Sequence, residues 1–383
     1  MPDRIRILFL VDSIPAAAAP EGLLSDRLPL HLDPRVFSVQ LAIVHPVDPA
    51  ATAPAFPGPV HTLSLAPSSW RSNPFHRLSI RRLLRRLRPD GLCTVGVSSR
   101  LLGLPAGRAL SIRLRPAIVD DMGEELTPAL VTALRSANRD ATGVIVDSYA
   151  ATRRLMRQEK VDRTRIDIIP AGVDCAQFPM RTAESVMEAK HRLGLSWQQP
   201  VIVMASPFDH HQNHPLFLTA AAQLVRHQPH ARFVLIGAGT HAEVVTVKRE
   251  IQRRHLSEHV LLLHALDVLP LWLQAADVGV LTSYVESSAR TLLLYMASGL
   301  PIVAVNAGGN SELIGHGNSG YLADVSDADQ LAMYIMVLLL SPEQSARFGE
   351  AARQRAETEF PLERTHRAYD DYFRTLAYAF LVR

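Results

Sequence analysis

The stretch VGVLTSYVESSARTLLLYMASGLPIVAV, residues 278–305, decides the architecture. It opens on the apolar run 278–281 and closes on another, 302–305. Short apolar runs of this kind, bounded by turn residues, read as strands buried on both faces, the pattern of parallel sheets. Between them a helical pattern opens at 287–291 and runs to Gly299. Strand, helix and strand in succession form the unit from which parallel sheets are wound.

Working outward, the apolar runs 201–204, 233–236 and 260–263 precede this unit, with helix-like segments of ordinary length between them. An earlier set repeats the theme: 5–11, 36–44, 117–119, 143–146 and 166–169. Two successive α/β sets, joined near residues 170–179, predict two Rossmann-like, doubly wound domains. Their expected bounds are 1–172, completed by 361–383, and 173–360. The closing segment places Tyr369, Phe373, Leu376 and Phe380 at helical spacing, an amphipathic helix that needs a surface to pack on,. Ligands of open α/β sheets bind at the carboxyl ends of the strands, so with two sheets facing each other the expected site is the cleft between them.

Composition narrows the class. At 383 residues the chain suits two domains,. A net charge of +3, with no zinc-finger or RNA-binding signature, points away from nucleic acid,. Cys93 and Cys175 make neither a disulfide framework nor a metal pair, which fits a reducing cytoplasm,. No apolar stretch is long enough to span a bilayer, and the N-terminal apolar run is too short for a signal peptide. The expectation is a cytoplasmic protein, or one peripheral to the inner face of the membrane, with no metal and no cofactor.

Three stretches carry a resemblance. Residues 166–178 (IDIIPAGVDCAQF) resemble the linker of family 4 glycosyltransferases, the glycosyl transferases group 1 type. Residues 278–305 resemble that family's donor-site segment: a strand, Ser and Glu, a loop, a helix ending in Ala-Met-Ala-x-Gly, then Pro-Val-Val. Residues 308–322 (GGNSELIGHGNSGYL) resemble its Gly-Gly-x-x-Glu block. The spacing across all three is kept. The resemblance implies a GT-B fold, with the last helix crossing back to the N-terminal domain. It also implies a retaining transfer of sugar from a nucleotide-diphosphate donor to a glycan or lipid-linked acceptor. Carried over, Glu286 works at the transferred sugar. Gly308, Gly309 and Glu312 match the family's Gly-Gly-x-x-Glu block and, with Ser287 and Ser288 at the helix start, face the donor; Arg290 in the first turn of that helix reads either as a cation that reaches a phosphate held there or as an exposed helix arginine. The segment is legible physically as well: a helix opening at Ser287–Ser288 presents free amide N–H groups to a diphosphate. The plainer reading of those serines is a helix cap, worth about 1 kcal/mol.

The chain departs from that pattern at one site after another. The family's second glutamate, which grips the ribose hydroxyls, is Leu294. Its diphosphate-neutralising Arg and Lys fall at Pro207 and Gln212. Its phosphate-facing Gly-Gly loop is Ala17 and Ala18. Its active-site histidine falls at Val95, within residues 88–96, where Cys93 takes a second histidine place. Leaving-group charge is the main electrostatic task of this chemistry, so the lost cations weigh most. His210, His211 and His214 lie nearby; partly protonated they are weak substitutes for those cations, and the plainer reading is a cluster of exposed loop histidines,. Asp120, Asp121, Glu124 and Glu125 form an acidic cluster that reads as a solvated loop or as an acceptor base.

Residues 75–88 (FHRLSIRRLLRRLR) set Phe75, Leu78, Leu83, Leu84 and Leu87 against six arginines. That pattern suits an anionic membrane surface, or a surface helix with its apolar side in the core. Two functions stay open: a glycosyltransferase with an altered donor site, and a catalytically inactive pseudo-glycosyltransferase that binds a glycan or a partner glycosyltransferase. An epimerase acting on a nucleotide sugar is a third reading, for which no catalytic acid stands out.

Overall fold

The computed structural model describes residues 4–13, 32–45, 56, 58–63, 65, 74–119, 127–264, 267–284 and 289–381. The chain divides into two units. One comprises Met1–Ala171 with Glu363–Arg383, the other Gly172–Leu362.

The first unit is built on strands β1 (Ile5–Val11), β2 (Phe37–Ile43), β3 (Val60–Thr62), β4 (Gly91–Val95), β5 (Pro116–Ile118), β6 (Gly143–Val146) and β7 (Ile166–Ile168). They form one sheet in the order β3-β2-β1-β4-β5-β6-β7, with parallel pairing throughout. Its helices are α1 (Pro74–Leu87), α2 (Val97–Ala109), α3 (Pro128–Asn138) and α4 (Tyr149–Arg154). In β1 only Arg6 is exposed, as expected of a strand covered on both faces,.

The second unit holds β8 (Val201–Ala205), β9 (Arg232–Ile236), β10 (Val260–Leu263), β11 (Val278–Leu281), β12 (Ile302–Val305) and β13 (Tyr321–Ala323), in the order β10-β9-β8-β11-β12-β13, again all parallel. Helices α5 (Ala183–Arg192), α6 (His214–Val225), α7 (His241–Arg253), α8 (Leu269–Ala275), α9 (Ala289–Ala297), α10 (Asn310–Leu313), α11 (Ala328–Leu340) and α12 (Pro342–Glu359) complete it. At its base Asp277 accepts from Val201 N at 2.7 Å and from the buried Lys190 Nζ at 2.8 Å, joining β8, β11 and α5.

The closing helix α13 (Leu362–Leu381) belongs almost wholly to the first unit. Phe373 sits 5.6 Å from the Phe9 ring and 6.4 Å from Phe37. Arg374 reaches Asp33 Oδ2 at 2.7 Å, and Asp370 Oδ1 accepts from Asp33 N at 3.0 Å. Paired guanidinium groups hold the Asp33 carboxyl below the usual range. The buried stripe runs through Tyr369, Phe373 and Ala377, so it passes Ala377 where the spacing had pointed to Leu376.

The sequence reading differs from the structure at three strands. β3 and β13 have three residues each, and β3 carries a histidine and a threonine in place of an apolar run. In β4 the buried Thr94 interrupts the apolar run. The apolar set of α1 also divides: Leu83 and Leu84 are buried, joined by Ile80, whereas Phe75 (71%) and Leu78 (45%) face solvent.

Candidate functional site

In both sheets the strand order reverses beside the first strand: between β1 and β4 in one unit and between β8 and β11 in the other. The carboxyl ends at such a point are where open α/β sheets bind ligands.

In the second unit, β8 and β11 pair only through Ile202–Val278 and Val203–Gly279. Beyond that register they part, and the Tyr295 hydroxyl fills the gap. It accepts from Ala205 N at 2.7 Å and donates to Val280 O at 3.3 Å. Burial pushes the Tyr295 phenol well up, so it keeps its proton. Gly279 makes the room: a Cβ there would lie 2.7 Å from the Tyr295 ring. From α9, Thr291 Oγ1 donates to Ala205 O at 3.1 Å, setting the first turn of that helix against the end of β8.

The connection from β8 to α6 runs along Gly237, where a Cβ would stand 1.8 Å from Ser206 O. Asp209 Oδ1 accepts from His211 N at 2.8 Å and opens a short 3-10 turn, His210–Gln212, which ends at Asn213 with φ 52. The residues after β11 tie this turn down. Thr282 Oγ1 donates to Gln212 O at 2.6 Å, Tyr284 N to His211 O at 3.3 Å, and Tyr284 Oη to His210 O at 2.9 Å. The two connections that leave the switch point thus form one hydrogen-bonded edge.

The predicted site residues distribute as follows. Arg290 is half-buried in the first turn of α9. Gly308, with φ 51, and Gly309 lead into α10, where Glu312 is half-buried and its carbonyl accepts from Arg355 Nη2 at 2.9 Å. Pro207 is exposed at the edge just described, and Gln212 is buried there. Leu294 is buried within α9, and Val95 is buried at the end of β4. Glu286, Ser287, Ser288, Ala17, Ala18, Asp120, Asp121, Glu124 and Glu125 lie outside the described residues. The reading of the histidines as an exposed cluster is corrected, because His211 and His214 are buried and only His210 is exposed. Ser206 Oγ lies 3.3 Å from His214 Nε2, and desolvation pulls the His214 imidazole down to about 4. It is neutral at neutral pH. No group of three metal-ligating side chains occurs among the described residues.

The first unit treats its own switch point differently. Asp12, just after β1, accepts from Ser98 N at 2.7 Å and Ser99 N at 2.5 Å, the opening amides of α2. Gly96, with φ 96, lets the carboxyl approach, since a Cβ there would come within 2.7 Å of it. Burial raises the Asp12 carboxyl above its ordinary range against the pull of those amides and of His45.

Sequence reasoning missed Tyr295 and Asp12. Tyr295 was visible in principle, as it takes the first Ala place of the Ala-Met-Ala-x-Gly helix ending, with a glycine inside the preceding strand to match. Asp12 carried no motif signal.

Comparison with known proteins agrees with this geometry. Residues 187–355 match the family model described as glycosyl transferases group 1. N-acetyl-alpha-D-glucosaminyl L-malate synthase of Bacillus anthracis is 28% identical over 186 residues, 49% of this chain and 48% of that protein, so the match spans about half that relative's length. The GDP-mannose-dependent alpha-(1-6)-phosphatidylinositol monomannoside mannosyltransferase of Mycobacterium tuberculosis (strain ATCC 25618 / H37Rv) is 25% identical over 266 residues, 66% of this chain and 68% of the relative. Among solved structures, Anabaena Alr3699/HepE in complex with UDP superposes with a TM-score of 0.77 at 21% identity, covering 97% of this chain and 100% of that one. With two parallel α/β units and a closing helix returned to the first, this chain has the GT-B fold, and residues 187–355, within its second unit, match the glycosyl transferases group 1 model.

Proposed function

We propose that the protein transfers a sugar from a nucleotide-diphosphate donor to a glycan or lipid-linked acceptor, with a donor site rebuilt relative to its family. The observation that carries this reading is the edge at β8 and β11, where the first turn of α9 is fixed to Ala205 through Thr291. A helix start held there directs backbone donors and a partial positive charge at an anion. The relatives support the chemistry. One is named as GDP-mannose-dependent and acts on a phosphatidylinositol monomannoside, and one solved neighbour holds UDP. In this reading Glu286 serves the transferred sugar, and Ser287, Ser288, Arg290, Gly308, Gly309 and Glu312 line the donor.

The membrane surface enters through α1. Phe75 and Leu78 are exposed on it, and Arg77, Arg81, Arg82, Arg85 and Arg86 are exposed on the same helix. Apolar residues among arginines match an anionic lipid surface, which is where a lipid-linked acceptor resides. No described helix is long and apolar enough to cross a membrane. In this reading α1 brings the protein to the inner face of the membrane as a peripheral protein.

A second reading is favoured by Leu294, Pro207 and Gln212, none of which carries charge: a pseudo-glycosyltransferase that binds a glycan or a partner glycosyltransferase. Calorimetric titration with UDP and GDP decides between the two. Binding of one nucleotide near micromolar, about 8 kcal/mol, and weaker in Glu286→Ala, is expected of the enzyme. No binding of either up to millimolar concentration turns the case toward the partner protein.

A further inference from the structure

His211 is the buried polar group at the switch point that the fold leaves unused. Its residue exposure is 6%, and both ring nitrogens are shielded from solvent with no hydrogen-bond partner among the described residues. The backbone on either side is fixed, its N–H by Asp209 and its carbonyl by Tyr284. The ring is held as well, 3.8 Å from the His210 ring and edge-on to Tyr284 at 6.1 Å. A buried imidazole without partners carries an unmet desolvation cost, and such groups in native proteins call for an explanation.

An anion supplies one. The His210–Gln212 turn is bonded to residues 282–284, and Thr291 fixes the first turn of α9 to Ala205 at the end of β8, two elements of the same switch point,. An imidazole offers one N–H when neutral and two when protonated, so in either state it can donate to an anion. The neighbouring His214 is not available, since burial keeps it neutral and Ser206 lies beside its Nε2. We propose that the His211 ring donates to the diphosphate of the nucleotide-sugar donor, the task for which the family uses an Arg and a Lys and for which Pro207 and Gln212 are unsuited. The inference rests on the glycosyltransferase reading above and specifies how its donor is held.

The test uses the full chain with two substitutions. His211→Phe keeps a packed ring and removes both nitrogens; His211→Gln keeps an N–H donor. Each is titrated with UDP and GDP, and bound nucleotide is then challenged with inorganic pyrophosphate. Expected are a loss of affinity of tenfold or more in His211→Phe, a smaller loss in His211→Gln, and pyrophosphate competition that fades in His211→Phe. The urea midpoint of His211→Phe should equal or exceed that of the parent, because the unpartnered nitrogens are gone. Unchanged nucleotide affinity in His211→Phe overturns the assignment and leaves the donor reading standing. So does a loss of affinity that only tracks a lower urea midpoint. A parent chain that binds neither nucleotide overturns both.

Discussion

Tyr295 stands where β8 and β11 part, and its hydroxyl satisfies a backbone donor on one strand and an acceptor on the other. Tyr295→Phe leaves Ala205 N and Val280 O unpaired in a site with no water access, at a cost of about 1–3 kcal/mol. The urea midpoint should fall accordingly, and a change within error would show that the hydroxyl is dispensable. His214 gives a pH signature. Its folded pKa, about 4, lies below the ordinary 6.5. Above pH 6.5 both folded and unfolded states are neutral and the stability is complete. As pH falls from 6.5 toward 4 the unfolded chain takes up a proton that the folded chain refuses, and stability is lost, about 3 kcal/mol by pH 4. Denaturation midpoints between pH 7 and 4.5 should therefore drop less steeply in His214→Gln than in the parent; parallel curves would sink the assignment. Residue chemistry of this kind was barely legible beforehand. The three histidines look alike in sequence, and only the packing of the His210–Gln212 turn separates the exposed one from the buried two.

At the scale of elements, long apolar runs such as β1 and β11 were readable because strands covered on both faces need no polar alternation. β3 was not, since Val-His-Thr makes no apolar run,. A different failure concerns Arg100, fully buried in α2. Its guanidinium meets Glu159 Oε2 at 3.1 Å, with Asn138 Nδ2 at 2.6 Å on the same oxygen. Glu159 reaches inward from a wide turn, Leu155–Glu159, that continues α4. Nothing in an isolated arginine announces a partner 59 positions away. Helix α1 was readable as basic and amphipathic, but which leucines face the core was settled only by packing against β1 and β4. Its exposed pair makes the lipid reading testable. Vesicles containing a third anionic lipid should sediment the chain, and Phe75→Ser with Leu78→Ser should release it. Binding that survives this double change but is lost in high salt would reduce the contact to the arginines alone.

At the scale of the whole molecule, the two units differ in how the chain completes them. The second is one contiguous piece, Gly172–Leu362, with its own sheet and core. The first needs α13 from the far end, because Phe373 covers Phe9 and Phe37. A fragment of residues 172–362 is therefore expected to fold and to bind the preferred nucleotide within about tenfold of the full chain, as judged by calorimetry. A fragment of residues 1–171 is expected to aggregate, its apolar face being uncovered. A folded second fragment with no affinity would place essential contacts outside that unit. The GT-B architecture was legible because repeated strand and helix patterns survive single substitutions. The site was less so, because its identity hangs on a few side chains that the motif leaves free to vary. The Asp12 carboxyl bears on stoichiometry. Two sheets of the same winding would ordinarily offer two seats for an anion, but the first is filled from within by Asp12 on the Ser98 and Ser99 amides. A phosphate arriving there meets a buried carboxyl instead of bare N–H groups, so saturation with nucleotide should stop at one molecule per chain.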